Sequence, residues 1–311
     1  MYVIYLIAGL FLLYYGAEYL VRGSSSIAYS FGMKKMVVGL TIVALGTSMP
    51  EFVVSLKGVL SNADSISVGN IVGSNLANIL LVLGITCVIN PVSAQKRTVI
   101  VDMPFLILIT VLFIIFCYDG MLTAKDSTIL LVLFLGYMVY QIVNSKDKSV
   151  NQNDIKEMEK GRLIKNSIYS ILGIIGLVLG GNFTVKGAVE LAQILGVSNL
   201  IIGLTVVAIG TSLPELFTSV IAAIKGEHEI SIGNVIGSNL FNIAFVLGVV
   251  PLIAPMKISA KVIAFDNWFM LGITILLGIF VFIRKEISRW QGVVLLLLYM
   301  FFILNLIFNF I

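Results

Sequence analysis

The chain has 311 residues, of which 59% are apolar and 12% charged, and its mean hydropathy is +1.07. A soluble domain carries about 25% charged residues, so this composition excludes an ordinary soluble protein. Helices that cross a bilayer need about 20 mostly apolar residues, and the chain is a succession of such runs. We expect an all-α polytopic membrane protein, and the net charge of +4 indicates no nucleic-acid partner.

The apolar runs predict ten membrane-spanning helices. They cover residues 2–22, 36–58, 66–89, 99–117, 127–144, 168–190, 200–224, 230–254, 262–283 and 290–310. One polar stretch, residues 145–166, carries charges of both signs and few apolar residues, which is typical of a solvated linker. It divides the chain into a first repeat, residues 1–144, and a second repeat, residues 167–311, with five spans each.

Two stretches of the first repeat recur in the second. A constant shift in residue number, the repeat offset, aligns GLTIVALGTSMPEFVVSL (39–56) with GLTVVAIGTSLPELFTSV (203–220), which are identical at 11 of 18 positions. The same offset aligns SVGNIVGSNLAN (67–78) with SIGNVIGSNLFN (231–242), which are identical at 8 of 12. One gapless offset that serves both motifs indicates an internal duplication.

The number of spans in each repeat predicts their relative orientation. Because five is odd, the second repeat must enter the membrane from the side opposite to the first, so the two repeats are expected to be inverted. If the N-terminus lies outside, 15 of the 20 Lys and Arg residues fall on the inner side and five on the outer side. The positive-inside rule therefore favours both termini outside and a cytoplasmic linker, in a protein of the cell membrane.

Both copies of the first motif contain residues that interrupt a helix. Pro50 has no N–H, so the carbonyl of Gly46 loses its helical partner, and Pro214 repeats this arrangement with Gly210. We therefore expect the second and seventh spans to unwind or kink at these points. Freed backbone groups at membrane depth are tolerated where they are buried in protein or line an aqueous cavity, and their carbonyls can coordinate a cation.

An acid follows each of these prolines, Glu51 in the first repeat and Glu215 in the second. A charged side chain at the centre of a spanning helix costs roughly 2.5–3.5 kcal/mol, and intramembrane acids generally mark functional sites. Thr47, Ser48 and Ser55 share a helix face with Glu51. Two acids at equivalent positions of inverted repeats therefore favour a binding site over a purely structural kink.

The second motif places polar residues four apart along the third and eighth spans. These residues are Asn70, Ser74 and Asn78, and Asn234, Ser238 and Asn242. A single stripe of this kind more often serves helix packing. Beside two acids, its oxygens suit hard cations, with Ca²⁺ and Na⁺ ahead of softer metals. The lack of Cys and His near the breaks argues against zinc or copper.

The motifs GTSMPE and GTSLPE, followed by GNIVGSN and GNVIGSN, resemble the two α-repeats of the calcium/cation antiporter superfamily. The resemblance is strongest to its sodium/calcium exchanger branch in a prokaryotic form, and it covers nearly the whole chain. It implies that broken helices 2, 3, 7 and 8 form an ion-binding core. Helices 1 and 6 would slide across this core to alternate access.

The resemblance also implies a set of ion ligands. Glu51 and Glu215 match the central calcium-binding acids of the family. The further matching positions carry hydroxyl, amide or backbone carbonyl oxygens, and they are Thr47, Thr211, Ser48, Ser212, Ser74, Ser238, Asn78, Ala44 and Ala208. Some relatives have Asp where this chain has Asn242, which we include in the set, and Asn at this position implies exchange that is independent of K⁺.

These features together predict a secondary active antiporter that exchanges Na⁺ for Ca²⁺ by alternating access and extrudes Ca²⁺. Exchange of H⁺ for Ca²⁺ remains the alternative, because burial favours the protonated form of a carboxyl group. An ion channel is a second alternative, since broken helices can line pores. An enzyme is not expected, because a Ser–His pair would need His228, which lies in a predicted loop. We expect no cofactor, and no obligatory partner besides the lipid bilayer.

Overall fold

The computed structural model describes residues 1–61, 64–146, 160–196 and 208–308, which are almost entirely helical. We number the helices in chain order. They are α1 Tyr2–Ser30, α2 Lys35–Thr47, α3 Met49–Leu60, α4 64–89, α5 Thr98–Phe116, α6 Ala124–Val143, α7 Lys160–Ile194, α8 Ala208–Thr211, α9 Leu213–Ile224, α10 His228–Ile253, α11 Val262–Arg284 and α12 Arg289–Phe308.

Eight helices in the described part of the chain are long and apolar enough to cross a membrane. They are α1, α4, α5, α6, α7, α10, α11 and α12. Helices α2 and α3 are suited to form one further span, bent by 46° at its break. The predicted seventh span, residues 200–224, contains α8 and α9, and its residues 200–207 lie outside the described residues. The expectation of an all-helical polytopic protein is therefore confirmed.

Two helix boundaries differ from the predicted ones. Helix α1 continues to Ser30, well past the predicted end at residue 22, because its polar last turns pack against α7, where Gly23 meets Ser170. Helix α7 begins at Lys160, inside the stretch predicted as linker. Residues 147–159 of that linker lie outside the described residues.

Helices α4 and α10, which carry the second motif, form the centre of the molecule. In an apolar segment of 18 residues from each of these two helices, 78% of the residues are buried. The corresponding share in α1, α6, α7 and α12 is 28%. The predicted breaks in these two helices are not confirmed. Each helix continues through a single wider π-helical stretch, Asn78–Val82 in α4 and Phe241–Val246 in α10, because the motif contains glycine but no proline. Such π-bulges frequently occur at functional sites.

Helices α1 and α7 pack along each other through regularly spaced glycines. They are Gly9, Gly16 and Gly23 in α1, and Gly173, Gly180 and Gly187 in α7. A Cβ atom added to Gly16 would lie 2.8 Å from the amide nitrogen of Leu177, and one added to Gly180 would lie 2.7 Å from that of Leu13. Small residues thus let the two backbones approach closely, as in many membrane helix pairs.

Two short antiparallel strand pairs connect loops of the two repeats. Strand β1 (Val92–Ser93) pairs with β4 (Glu286–Ile287), and β2 (Met121–Leu122) pairs with β3 (Met256–Lys257). Adding the repeat offset to the residue numbers of β1 gives those of β3. Adding it to the residue numbers of β2 gives positions at the start of β4. The two strand pairs are therefore equivalent under the internal repeat.

Candidate ion-binding site

The two helix breaks have nearly the same backbone geometry. Ser48 separates α2 from α3 with φ −86° and ψ 5°, and Ser212 separates α8 from α9 with φ −87° and ψ 3°. Pro50 and Pro214 lie in the first turn of the helix that follows. A proline is tolerated there because the first N–H groups of a helix have no intrahelical partner. The sequence therefore starts a new helix at each motif.

Each break places an acid in the first turn of the new helix. Glu51 in α3 and Glu215 in α9 are both 0% exposed. The positive end of the helix dipole favours a carboxylate at this position. One buried acid from each repeat therefore lies at the start of a helix, inside the protein.

The first break reaches across to the second repeat. The Ser48 hydroxyl donates a hydrogen bond to Oε1 of Glu215 at 3.2 Å. The Thr47 hydroxyl donates to Oδ1 of Asn234 at 3.0 Å and lies 3.3 Å from the Ser238 hydroxyl. The predicted ligands of α2, α9 and α10 are thus brought into one cluster.

The Glu51 carboxyl group occupies the other side of this cluster. The hydroxyls of Ser74 and Thr211 lie within interaction range of it. Among the described residues, however, neither Glu51 oxygen has a hydrogen-bond partner, and Oε2 of Glu215 has none either. Three of the four carboxylate oxygens, two on Glu51 and one on Glu215, are therefore available to a cation.

Asparagines of the polar stripe hold each acid-bearing helix against its neighbour. The Asn70 amide donates to the Glu51 carbonyl at 3.4 Å and to the Ser55 hydroxyl at 3.3 Å. In the second repeat, Asn234 donates to the Glu215 carbonyl at 3.3 Å and to the Ser219 hydroxyl at 2.9 Å. These contacts fix the acids relative to α4 and α10.

Two asparagine pairs join the repeats to each other. The Asn78 amide donates to Oδ1 of Asn239 at 3.2 Å, and the Asn242 amide donates to Oδ1 of Asn75 at 3.3 Å. The side-chain oxygens (Oδ1) of Asn78 and Asn242 have no partner among the described residues. Their amide ends are thus anchored and their oxygens are free. The sequence did not single out Asn75 and Asn239, which do not follow the four-residue spacing of the stripe.

The backbone at each break makes hydrogen bonds within its own turn. The Ala44 carbonyl accepts hydrogen bonds from the Ser48 N–H at 3.0 Å and the Thr47 hydroxyl at 3.3 Å. In the second repeat, the Ser212 N–H donates to the carbonyl of Ile209 at 3.1 Å, one residue after the predicted ligand Ala208. The Ser212 hydroxyl is buried without a partner in the described part of the chain.

The chemistry of the cluster is that of a hard-cation site. All its candidate ligands are oxygens, and only two of them are acidic side chains. The described residues contain no group of three or more His, Cys, Asp or Glu side chains placed to hold a metal ion. Neutral oxygens with a few carboxylates suit Ca²⁺ and Na⁺ rather than zinc or copper.

Comparison with known proteins gives consistent results. The profile described as "Sodium/calcium exchanger protein" matches residues 1–143 and 165–308. The chain is 38% identical to the "Putative antiporter CaxA" of Alkalimonas amylolytica, covering 94% of this chain and 95% of the relative. It is 31% identical to the "Sodium/calcium exchanger MaX1" of Methanosarcina acetivorans, covering 97% of both.

The fold is also that of a solved exchanger. The structure of the sodium-calcium exchanger NCX_Mj soaked with 10 mM Na⁺ and without Ca²⁺ superposes with a TM-score of 0.88 and 34% sequence identity, covering 98% of both chains. These relatives are transporters rather than enzymes. A profile match over most of the chain, together with relatives of this similarity, shows that the chain belongs to the sodium/calcium exchanger protein family.

Proposed function

We propose that this protein exchanges Na⁺ for Ca²⁺ across the membrane and extrudes Ca²⁺. The observation that carries the proposal is the pair of fully buried acids, Glu51 and Glu215, with three carboxylate oxygens that have no hydrogen-bond partner among the described residues. Neither acid forms an ion pair with Lys or Arg in the described part of the chain. Two buried carboxylates without a compensating charge are strongly unfavourable, so the site requires cations.

Charge balance explains why different ions would compete for this site. One Ca²⁺ neutralises both carboxylates, and so do two Na⁺. Binding of one ion therefore removes the electrostatic reason for binding the other, which couples their movements in opposite directions. If more than two Na⁺ move for each Ca²⁺, net charge crosses the membrane, and each charge contributes about 2.3 kcal/mol per 100 mV.

We further propose ten spans in two inverted repeats, with both termini outside. Six spans separate β1 from β4 in this scheme, and four separate β2 from β3, so each strand pair joins loops on the same side of the membrane. The two pairs then lie on opposite sides. Since the internal repeat exchanges them, this pattern supports inversion. The excess of Lys and Arg on the inner side supports the orientation.

Alternating access would involve α1 and α7, the first and sixth spans. Helix α7 packs over both breaks: a Cβ atom added to Gly46 would lie 2.6 Å from Ile174, and one added to Gly181 would lie 3.7 Å from the Gly210 carbonyl. A shift of α7 along its axis would thus change what covers each break. The close glycine contacts between α1 and α7 support movement of the two helices together.

Independence from K⁺ follows in this scheme from Asn242. This side chain is neutral, and its amide is held by Asn75 just as the Asn78 amide is held by Asn239. The site therefore carries no third acid at this position that would require a further monovalent cation.

Calcium flux in reconstituted vesicles tests the proposal. Vesicles loaded with Na⁺ should take up radioactive Ca²⁺ when external Na⁺ is removed, and adding K⁺ should not change the rate. Uptake that ignores the Na⁺ gradient but follows a proton gradient would favour exchange of H⁺ for Ca²⁺. The free Glu51 oxygens make this the second candidate, because they can bind a proton in place of a metal ion. Single-channel currents would contradict both forms of exchange.

A further inference from the structure

A polar cavity, separate from the ion-binding cluster, lies where the C-terminal part of α1 meets the first turns of α7. Its volume is about 470 Å³, which falls within the range of small-ligand pockets. Three cations line it: Arg22 in the last third of α1, Lys35 at the start of α2, and Lys165 in α7. None of its lining residues belongs to the ion-binding cluster.

Two of these cations have no acidic partner among the residues that the structure describes. Lys35 forms an ion pair with Glu227 at 2.7 Å. Arg22 and Lys165 have no carboxylate partner within the described ranges, and both lie over the ring of Tyr169, at 5.8 Å and 5.6 Å from its centre. Both cations contact the same ring and line the same cavity, so an anion bound in this cavity would interact favourably with both charges.

The surroundings of these cations indicate which anion fits. An arginine and a lysine that line one cavity are typical of sites for phosphate, whose several oxygens accept charge-assisted hydrogen bonds. Tyr19 stacks on Tyr169 at 5.4 Å between ring centres, and Tyr29 is 43% exposed beside the cavity. Tyrosines are enriched at the boundary between lipid headgroups and acyl chains.

We propose that this cavity binds the phosphate group of an anionic phospholipid headgroup. A free phosphate ion shares the chemistry, but the cavity lies at the ends of two membrane-spanning helices with aromatic side chains next to it, which favours a lipid. Basic pockets between spanning helices on the cytoplasmic side bind anionic headgroups in other membrane proteins. In the orientation proposed above, this cavity faces the cytoplasm.

The opposite end of the same helix pair provides an internal comparison. Lys186, the repeat counterpart of Arg22, lies over Tyr5, the counterpart of Tyr169, at 4.3 Å from the ring centre. The counterpart of Lys165 is Met1, so no second lysine is present there. The acid Glu190 also interacts electrostatically with Lys186. Among the described residues, two cationic side chains over one tyrosine ring therefore occur at one end of the helix pair, and a single one at the other end.

A bound headgroup would contact both helices of the glycine-packed pair. Arg22 belongs to α1, and Lys165 and Tyr169 belong to α7. An anion held between Arg22 and Lys165 would stabilise the present alignment of the two helices. Anionic lipid would thus influence any movement that separates these two side chains.

Lipid binding to the full-length protein in an uncharged detergent tests the proposal. Native mass spectrometry would compare phosphatidylglycerol with phosphatidylcholine for the wild type, the R22Q/K165Q variant and the matched control K186Q. Each basic residue near a lipid surface contributes about fivefold to affinity, so R22Q/K165Q should bind phosphatidylglycerol roughly 30-fold more weakly. K186Q should bind it like the wild type, and R22K/K165R, which keeps both charges, should retain most of the affinity.

Several results would overturn the proposal. They are equal wild-type affinity for the two lipids, unchanged phosphatidylglycerol binding in R22Q/K165Q, and an equal loss in K186Q. Displacement of phosphatidylglycerol by an equal concentration of inorganic phosphate would identify a free-phosphate site instead. If the double variant does not fold, the single variants R22Q and K165Q carry the test, each with an expected loss of about fivefold.

Discussion

The two halves of the ion-binding cluster have the same residues at equivalent positions but different hydrogen bonds to their acids. Ser48 of the first repeat donates to Glu215. Its counterpart Ser212 does not donate to Glu51, and both Glu51 oxygens are without partners among the described residues. Glu215 is therefore held by the Ser48 hydroxyl of the first repeat, while the described residues contain no equivalent hydrogen bond from Ser212 to Glu51.

The scaffold behind the acids, by contrast, follows the repeat closely. The Ser67 hydroxyl donates to the Ser55 carbonyl at 2.8 Å, and Ser231 donates to the Ser219 carbonyl at 2.9 Å. The two cross-repeat asparagine pairs have nearly the same length, at 3.2 Å and 3.3 Å. Asymmetry is thus concentrated in the groups that would contact the ion. An inverted-repeat transporter requires this, because a fully symmetric site would be equally accessible from both sides.

The largest expected effect is the loss of either acid, which would remove the charge that both halves share. Glu51→Gln and Glu215→Gln should each lower Ca²⁺ transport at least about 100-fold. A bound Ca²⁺ would then face only one buried carboxylate, and removing one partner of a buried charge pair costs about 3–5 kcal/mol. Flux into proteoliposomes measures this, with gel filtration as the control for folding. Substantial transport by one variant but not by the other would show that the two acids do not act as a pair.

A smaller effect should reveal the asymmetry itself. A hydrogen bond to a charged group contributes about 1.5–3 kcal/mol, so Ser48→Ala should raise the half-saturating Ca²⁺ concentration about tenfold or more on one membrane face. Ser212→Ala should do so on the opposite face, where inversion exchanges the roles of the two serines. Ca²⁺ titrations on right-side-out and inside-out vesicles test this. If both variants were impaired on the same face, the exchange of roles would be refuted.

The sequence predicts the symmetric part of this comparison better than the asymmetric part. The repeat offset locates both acids and both stripes, because their residue types recur. It cannot distinguish Ser48 from Ser212, because the difference arises from how the helices are placed in one conformation. The contacts of Asn75 and Asn239 were also missed, since they run between repeats and leave no local spacing.

The fold, too, could be predicted from the sequence only in part. Proline locates the breaks at Ser48 and Ser212, because its missing N–H acts locally. The continuity of α4 and α10 was not predicted, since glycine permits a break without requiring one. The cation and ring pairs at the ends of α1 and α7 were also missed, because Arg22 and Tyr169 are far apart in sequence.

The glycine contacts between α1 and α7 occur in both repeats. Replacing these glycines should have an effect of intermediate size, on stability and not on transport. Gly16→Ala and Gly180→Ala should lower the free energy of unfolding by similar amounts, about 1–3 kcal/mol, because the added methyl group meets backbone atoms. Gly136→Ala is the matched control, since nothing lies within 4 Å of its added Cβ. Thermal unfolding in detergent compares the three variants, and equal melting temperatures would contradict the close approach of the helices.

The smallest expected effect concerns a contact that only one end of the molecule has. Lys225 forms an ion pair with Glu18 of α1, with both side chains about one-third exposed, while the counterpart positions hold Ser61 and Asn182. Exposed pairs contribute about 0.2–1 kcal/mol and are screened by salt. Lys225→Gln should therefore lower the melting temperature slightly at low ionic strength and not in concentrated choline chloride.

Lys57→Gln, which removes a lysine without an ion pair in the described residues, is the control for the loss of one charge. Glu18→Gln should match Lys225→Gln, and the double variant should add little, because both substitutions remove the same interaction. Additive losses would mean that the two residues act independently. The contact joins α1 to the loop between α9 and α10 on one side only, so it would favour the present position of α1 over the inverted one. A measurable loss would therefore link a one-sided surface contact to the asymmetry of the buried site.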